Sequence, residues 1–235
     1  SWFGPYRPVK ISPLRETLKQ KLEPYRLIIS NDAHALEHSI EGMIPFLQYY
    51  NRDVTITPIM VTAMNFETMD RLASETANII VEYMKKNELE PGKDIFFLMS
   101  ADANHYGKAF DNIPFGDDEN AHTAAVNIDQ NITRDYLEGK IDRTKIKKLL
   151  KRLCGDNFKG FSDTLWCGRY SIAFGTLTVM HITEKLDKKP LKGKILGYSD
   201  TYSSGVLPIK KPGFGITAPF SPKHWVGFFA AGFFQ

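Results

Sequence analysis

Cysteine is nearly absent from this chain. Its 235 residues hold two, Cys154 and Cys167, too few for a disulfide framework and too far apart for a C-x-x-C pair. Such sparing use fits a reducing compartment, so a cytoplasmic location is the expectation. Long apolar runs are missing as well. The longest, VGFFAAGFF at 226–234, falls far short of the ~20 residues that a membrane helix needs, and no membrane segment is expected. There is no excess of one charge either. Thirty basic side chains stand against 27 acidic ones, a formal net charge of +3, too even to mark nucleic acid or a membrane surface as the main partner. The opening SWFGPYRPVKISPLRE lacks the basic start, apolar stretch and small-residue cleavage site of a secretory signal. It also lacks an initiator Met and sets Trp2 and Phe3 at the very start, so it reads as a chain entered partway through. Repeats and low-complexity linkers are absent.

What is present suffices for a sizeable core: 43% of residues are hydrophobic and 24% charged, in keeping with one compact domain over 1–235. In ISPLRETLKQKLEPY, Ser12 is a good N-cap and Pro13 suits the first helical position. Leu14, Leu18 and Leu22 recur every four residues until Pro24 stops the helix. VTITPIMV predicts a strand at Val54–Val61, followed by a long helix opening near Asn65 with Leu72, Ile79, Ile80 and Tyr83 on its apolar face. DIFFLMS at 94–100 is a continuous apolar run of the kind found in a strand buried on both faces. Helices are predicted over Glu119–Tyr136 and Asp142–Leu153. In the second, Ile146, Leu149, Leu150 and Leu153 form one face, and Lys145, Lys148, Lys151 and Arg152 largely a solvated one. YSIAFGTLTVMHITEKLD reads as a buried helix, and KILGYS and HWVGFFAAGFF as closing strands. The alternation predicts an α/β fold, a mixed and largely parallel sheet flanked by helices, with ligands beyond the carboxyl ends of the strands.

Three segments carry chemistry. SADANHYG at 100–107 follows the DIFFLMS run, and its Asp102 and His105, three positions apart, can pair so that the imidazole exchanges a proton near neutrality; the plainer reading is a turn cap and a satisfied loop histidine. In TLWCGRYSIAFG at 164–175, Cys167 precedes a helix beside Arg169, a setting that favours thiolate and suits a nucleophile or soft metal ligand; against it stands the frequency with which cysteine is apolar filler. Cys154 reads as packing. The third segment, HALEHSIEGMIPFLQ at 34–48, contains His34-x-x-Glu37-His38, which matches an inverted zinc-peptidase string. That chemistry needs both imidazoles on one helix and a third ligand. Gly42 and Pro45 are expected to interrupt the helix, and no later glutamate stands out as the ligand.

Together, EHSIEGMIPFLQ, SADANHYG and WCGRYSI, in this order and at these separations, resemble the Memo family, whose prokaryotic members are called AmmeMemoRadiSam system protein B. WVGFFAAGFF is similar to that family's last strand. The H-x-x-E-H match is then incidental. The resemblance implies a single Memo-like domain with a fold like class III extradiol dioxygenases. It implies a metal-associated redox or dioxygenase-like pocket for copper or iron, with zinc as the alternative. By the same resemblance Cys167 is the family's cysteine ligand, His105 the pocket's acid–base group and Asp102 its neighbour. Glu37, His38 and Ser39 line the pocket, and Arg169 matches a family position without a role read from sequence. The family's two metal-binding histidines lie in PHAGY-like and S-x-H-H-like segments that this sequence does not contain, so the domain is expected to be incomplete at its N-terminal side and the ligand set partial, with His34 a remote stand-in. Implied partners are a small molecule or peptide, radical SAM and AMMECR-like proteins of the same system, and a second copy covering an open sheet edge. The competing class is a binding or signalling module that uses the same pocket without turnover.

Overall fold

The structure, a computed structural model, describes residues 2–22, 27–156, 163–204 and 221–235. The helix stop expected at Pro24 lies outside them. Within them the chain is α/β, with seven α-helices and two small sheets. It divides into two compact units, residues 1–100 with 174–189, and residues 101–173 with 190–235.

In the first unit, β1 (Lys10–Ile11) leads into α1 (Leu14–Lys21), where the Leu14 amide donates to Ser12 Oγ at 3.3 Å and Pro13 occupies the cap position. α2 (Asn31–Leu36) and α3 (Ser39–Tyr50) follow, then β2 (Thr55–Ile56) and α4 (Phe66–Lys86). Asn65 caps α4 by accepting from the Thr68 amide at 2.8 Å. Met69, Ala73, Ala77, Ile80 and Met84 recur every three or four residues on its buried face, and the last three meet Leu14 and Leu18 of α1 and Ile182.

Three local expectations are corrected here. α3 runs unbroken through Gly42 and Pro45. Pro45 forfeits one helical hydrogen bond, but Ile44 and Gln48 are each 1% exposed, and the Gln48 amide ties the helix to the Arg7 carbonyl at 2.8 Å. The Val54–Val61 strand shrinks to Thr55–Ile56, paired in parallel with Lys10–Ile11, because Pro58 two residues on has no amide to donate. DIFFLMS forms no ladder among the described residues beyond a bridge from Pro91 to Ile95. It buries one side only, Phe96 being 75% exposed and Leu98 48%, while Ile95 and Phe97 pack on the core.

The second unit holds β3 (His105–Gly107), α5 (Glu119–Leu137), β4 (Gly139–Lys140), α6 (Arg143–Cys154), β5 (Lys192–Asp200) and β6 (His224–Phe234). Asp118 and Asp142 cap the two helices by accepting from the Ala121 and Lys145 amides. Ile146, Leu149, Leu150 and Leu153 of α6 are each 0% exposed, as their spacing predicts. The sheet order is β3-β6-β5-β4 and every pair is antiparallel. Parallel pairing, expected to dominate, is thus confined among the described residues to β1–β2 and the isolated Pro91–Ile95 bridge. α7 (Arg169–Lys185) contributes 169–173 to this unit and 174–185 to the first. No described helix is long and apolar enough to cross a membrane.

Candidate functional site

β3 is only three residues long, yet it is fastened on both sides. Its His105 pairs with Val226 and Tyr106 with Trp225, whose rings stack at 5.2 Å. Just upstream, the Ala103 amide donates to the Gly227 carbonyl and the Gly227 amide to the Asn104 carbonyl, both at 2.8 Å. On the other side the His105 amide donates to the Leu165 carbonyl at 2.9 Å, which draws in the segment carrying Trp166 and Cys167. The approach is close. A Cβ on Gly168 would fall 1.9 Å from Ala101 Cβ, so the glycine of the Cys-Gly-Arg string supplies room for the two segments to meet.

The outcome is a cluster within the second unit. Asp102, His105 and Cys167 each offer one ligand atom, all within 4.8 Å of one another, and they form the only such group of three among the described residues. Cys167 is exposed. His105 Nε2 stands 3.4 Å from Asp102 Oδ2, with 20% and 47% of the side chains exposed. That separation is long for a hydrogen bond and suits an ion pair of a protonated ring with a carboxylate. The Asp102 carboxylate, and after it the Cys167 sulfur, raise the His105 pKa from 6.5 to about 9 against the opposing effect of burial. Phe110 meets the ring edge-on at 4.9 Å and limits its rotation.

Arg169 begins α7, two residues past Cys167. Its Nη1 donates to the Trp166 carbonyl at 2.6 Å, and its guanidinium lies 5.0 Å from the Tyr170 ring centroid. Together with Tyr170 it also interacts with Cys154, whose thiol is pushed up by burial and drawn back by these two partners. Cys154 is 3% exposed at the end of α6, as a packing residue should be.

Glu37, His38 and Ser39 belong to the first unit. Glu37 Oε2 accepts from Ser39 Oγ and the Ile40 amide, each at 2.9 Å, and so caps α3, while Oε1 accepts from Trp2 Nε1 at 3.2 Å. α2 ends at Leu36, Glu37 is extended with ψ of 155°, and His38 precedes α3. His34 therefore lies on α2 and His38 beyond its end, at the cap of α3, and the one-turn spacing that a zinc-peptidase helix requires is lost. The break falls at Glu37, ahead of the Gly42 and Pro45 that were expected to cause it. His34 instead lines a cavity of about 1050 Å³ with Trp2, Glu37, Met60 and Phe174, all in this unit.

A buried polar group that the sequence reading missed lies directly behind the cluster. Asp129 of α5 accepts from Thr164, Trp166, Tyr198 and Asn104. Its signal was a carboxylate in register with Ala121, Ala125 and Ile132 on the buried face of α5.

Comparison with known proteins fits this arrangement of motifs. A MEMO1 family protein of Saccharolobus islandicus is 38% identical over 107 residues, 45% of this chain and 34% of that protein. A second, from another strain, is 35% identical over 141 residues, 59% of this chain and 46% of the relative. A MEMO1 family protein of Pyrobaculum arsenaticum is 40% identical over 74 residues, 32% of this chain and 24% of its own length. The matched segments thus span less than half of each relative. The family profile described as Memo-like protein matches residues 1–206, a span that includes all three motifs, and the chain belongs to that family.

Proposed function

We propose that the Asp102–His105–Cys167 cluster is the metal-holding side of a redox or dioxygenase-like pocket, and that the protein serves as a metal-dependent oxidoreductase of the Memo type within an AmmeMemoRadiSam system. The observation that carries this reading is the convergence of one carboxylate, one imidazole and one thiol within 4.8 Å. A mixed oxygen, nitrogen and sulfur set suits iron, copper or zinc and is poorly matched to calcium or magnesium. Cys167 would hold the ion through Sγ, His105 through Nε2 and Asp102 through a carboxylate oxygen. A bound iron or copper ion would supply Lewis acidity and one-electron chemistry.

The chain's own contribution is geometric and protic. Asp102 holds the His105 ring by charge, and the ring carries its proton at neutral pH in the metal-free protein. Without the ion such a ring can deliver a proton at Nε2 to an acceptor in the pocket and recover it from a donor, and with the ion held at Nε2 it cannot. Because ligand nitrogen and sulfur must lose their protons to coordinate, ion binding competes with that proton and strengthens as pH rises.

The test is titration of reduced protein with Co(II), reading the sulfur-to-cobalt charge-transfer absorption. Wild type should develop the band and Cys167→Ser should lack it. A wild-type protein that shows no band, or a Cys167→Ser variant that keeps it, removes the metal reading and leaves a binding module without turnover as the better account.

A further inference from the structure

Asp129 is 0% exposed, and a buried carboxylate is costly unless its lone pairs are satisfied. Here they are satisfied by donors from distant parts of the second unit. Oδ1 accepts from Thr164 Oγ1 at 2.8 Å and Trp166 Nε1 at 2.9 Å. Oδ2 accepts from Tyr198 Oη at 2.8 Å and the Asn104 amide at 3.3 Å. Trp166 immediately precedes Cys167, and Asn104 immediately precedes His105. One oxygen therefore grips the segment that bears the sulfur, and the other grips the segment that bears the imidazole.

The two segments are also laced to each other. The Leu165 amide donates to Asn104 Oδ1 at 3.0 Å, completing a ring of contacts with the His105 amide and the Leu165 carbonyl. β6 leaves space for the carboxylate, since a Cβ on Gly227 would come 2.5 Å from Tyr198 Oη and 3.0 Å from Asp129 Oδ2. An apolar side chain at 129 could fill the volume but could not fix two loops through four directional bonds.

We propose that Asp129 is a positioning residue that sets the placement of Cys167 against His105 and Asp102, gripping one loop with each carboxylate oxygen. The proposal rests on reading those three residues as one functional set, and it deepens that reading.

The experiment uses the reduced, metal-free protein and iodoacetamide, with each cysteine followed by mass spectrometry. Cys167 is exposed and Cys154 buried, so Cys154 reports any general opening of the unit. In Asp129→Asn the amide nitrogen faces a donor and one grip is lost. Cys167 alkylation should change several-fold, because the loop that carries the sulfur is no longer held in place through Trp166, while Cys154 stays as protected as in wild type. Trp166→Phe keeps the carboxylate and deletes only the donor next to Cys167. It should shift the rate in the same direction by less, and it serves if Asp129→Asn does not fold. Cd(II) binding, read by its sulfur charge-transfer band, should weaken by about tenfold or more in Asp129→Asn, as is usual when an outer support of a metal site is removed.

Unchanged alkylation of Cys167 in both variants overturns the proposal. So does faster alkylation of both cysteines together, which would make Asp129 a fold-holding residue and nothing more. Failure of wild type to bind Cd(II) counts against the metal reading alone, since the alkylation arm still judges the positioning role.

Discussion

Removing the Asp102 carboxylate should release the His105 proton. In the metal-free protein His105 titrates at about 9, raised first by Asp102 and then by Cys167. Full return to the free-imidazole value in Asp102→Asn is a ceiling, because Cys167 stays in place and because Asp102, at 47% exposed, is screened by water. A fall of about one pH unit in the midpoint is the discounted expectation, equivalent to about 1.4 kcal/mol. The assay is the pH dependence of the His105 ring resonances in 15N-labelled protein, wild type against Asp102→Asn. The stability consequence has a definite sign. Since the folded value lies above the free value, the pair's contribution is complete below about pH 6.5 and fades as pH climbs through about 9. Asp102→Asn should therefore unfold more easily than wild type by about 1 kcal/mol near about pH 6, and match it near about pH 10. A His105 midpoint unmoved by the substitution, or a stability gap that widens with rising pH, would refute the pairing.

Gly168→Ala should lower the free energy of unfolding by about 1–3 kcal/mol in a urea titration, as overpacking does, because its Cβ would meet Ala101 at 1.9 Å; an unaltered midpoint would mean that the two segments are not so close. Phe96→Lys should cost no more than about 0.5 kcal/mol, since Phe96 is 75% exposed; a loss of several times that would restore DIFFLMS to a two-faced core strand. Replacing both His34 and His38 by alanine should leave the Co(II) band at full strength, and its loss would revive a role for the pair in metal binding.

The helices were legible because their signals are local. The expected starts near Asn65, Glu119 and Asp142 fall within one residue of the observed caps Asn65, Asp118 and Asp142, and the four-residue leucine repeat of α1 does face the core. Strands were less so. An apolar run such as DIFFLMS states a preference for burial but not the identity of its ladder partners, and here one side meets the core while the other meets none among the described residues. The pairing of Asp102 with His105 was readable from their spacing. Their convergence with Cys167 came from the order of motifs, since nothing local links positions 105 and 167. Asp129 escaped notice because a carboxylate amid AVNIDQNIT looks like an exposed helical residue until its register with Ala125 is counted. The contacts of Arg169 with the Trp166 carbonyl and Cys154 could not be read from sequence, because a side chain that long can turn back along the chain.

The pairing of β3 with β6 also bears on when the cluster can exist. His105 and its ladder partner Val226 are separated by 226 − 105 = 121 positions, so β3 emerges from the ribosome long before the strand that fixes it. During synthesis Cys167 and His105 can both be outside the exit tunnel while nothing yet holds them in register. Closing so long a loop is an entropic cost met late, and contacts of this separation slow folding. A nascent chain arrested before β6 should therefore have its first-unit helices formed and its cysteines equally open to alkylation, with the difference between Cys154 and Cys167 arising only after the final strand is released.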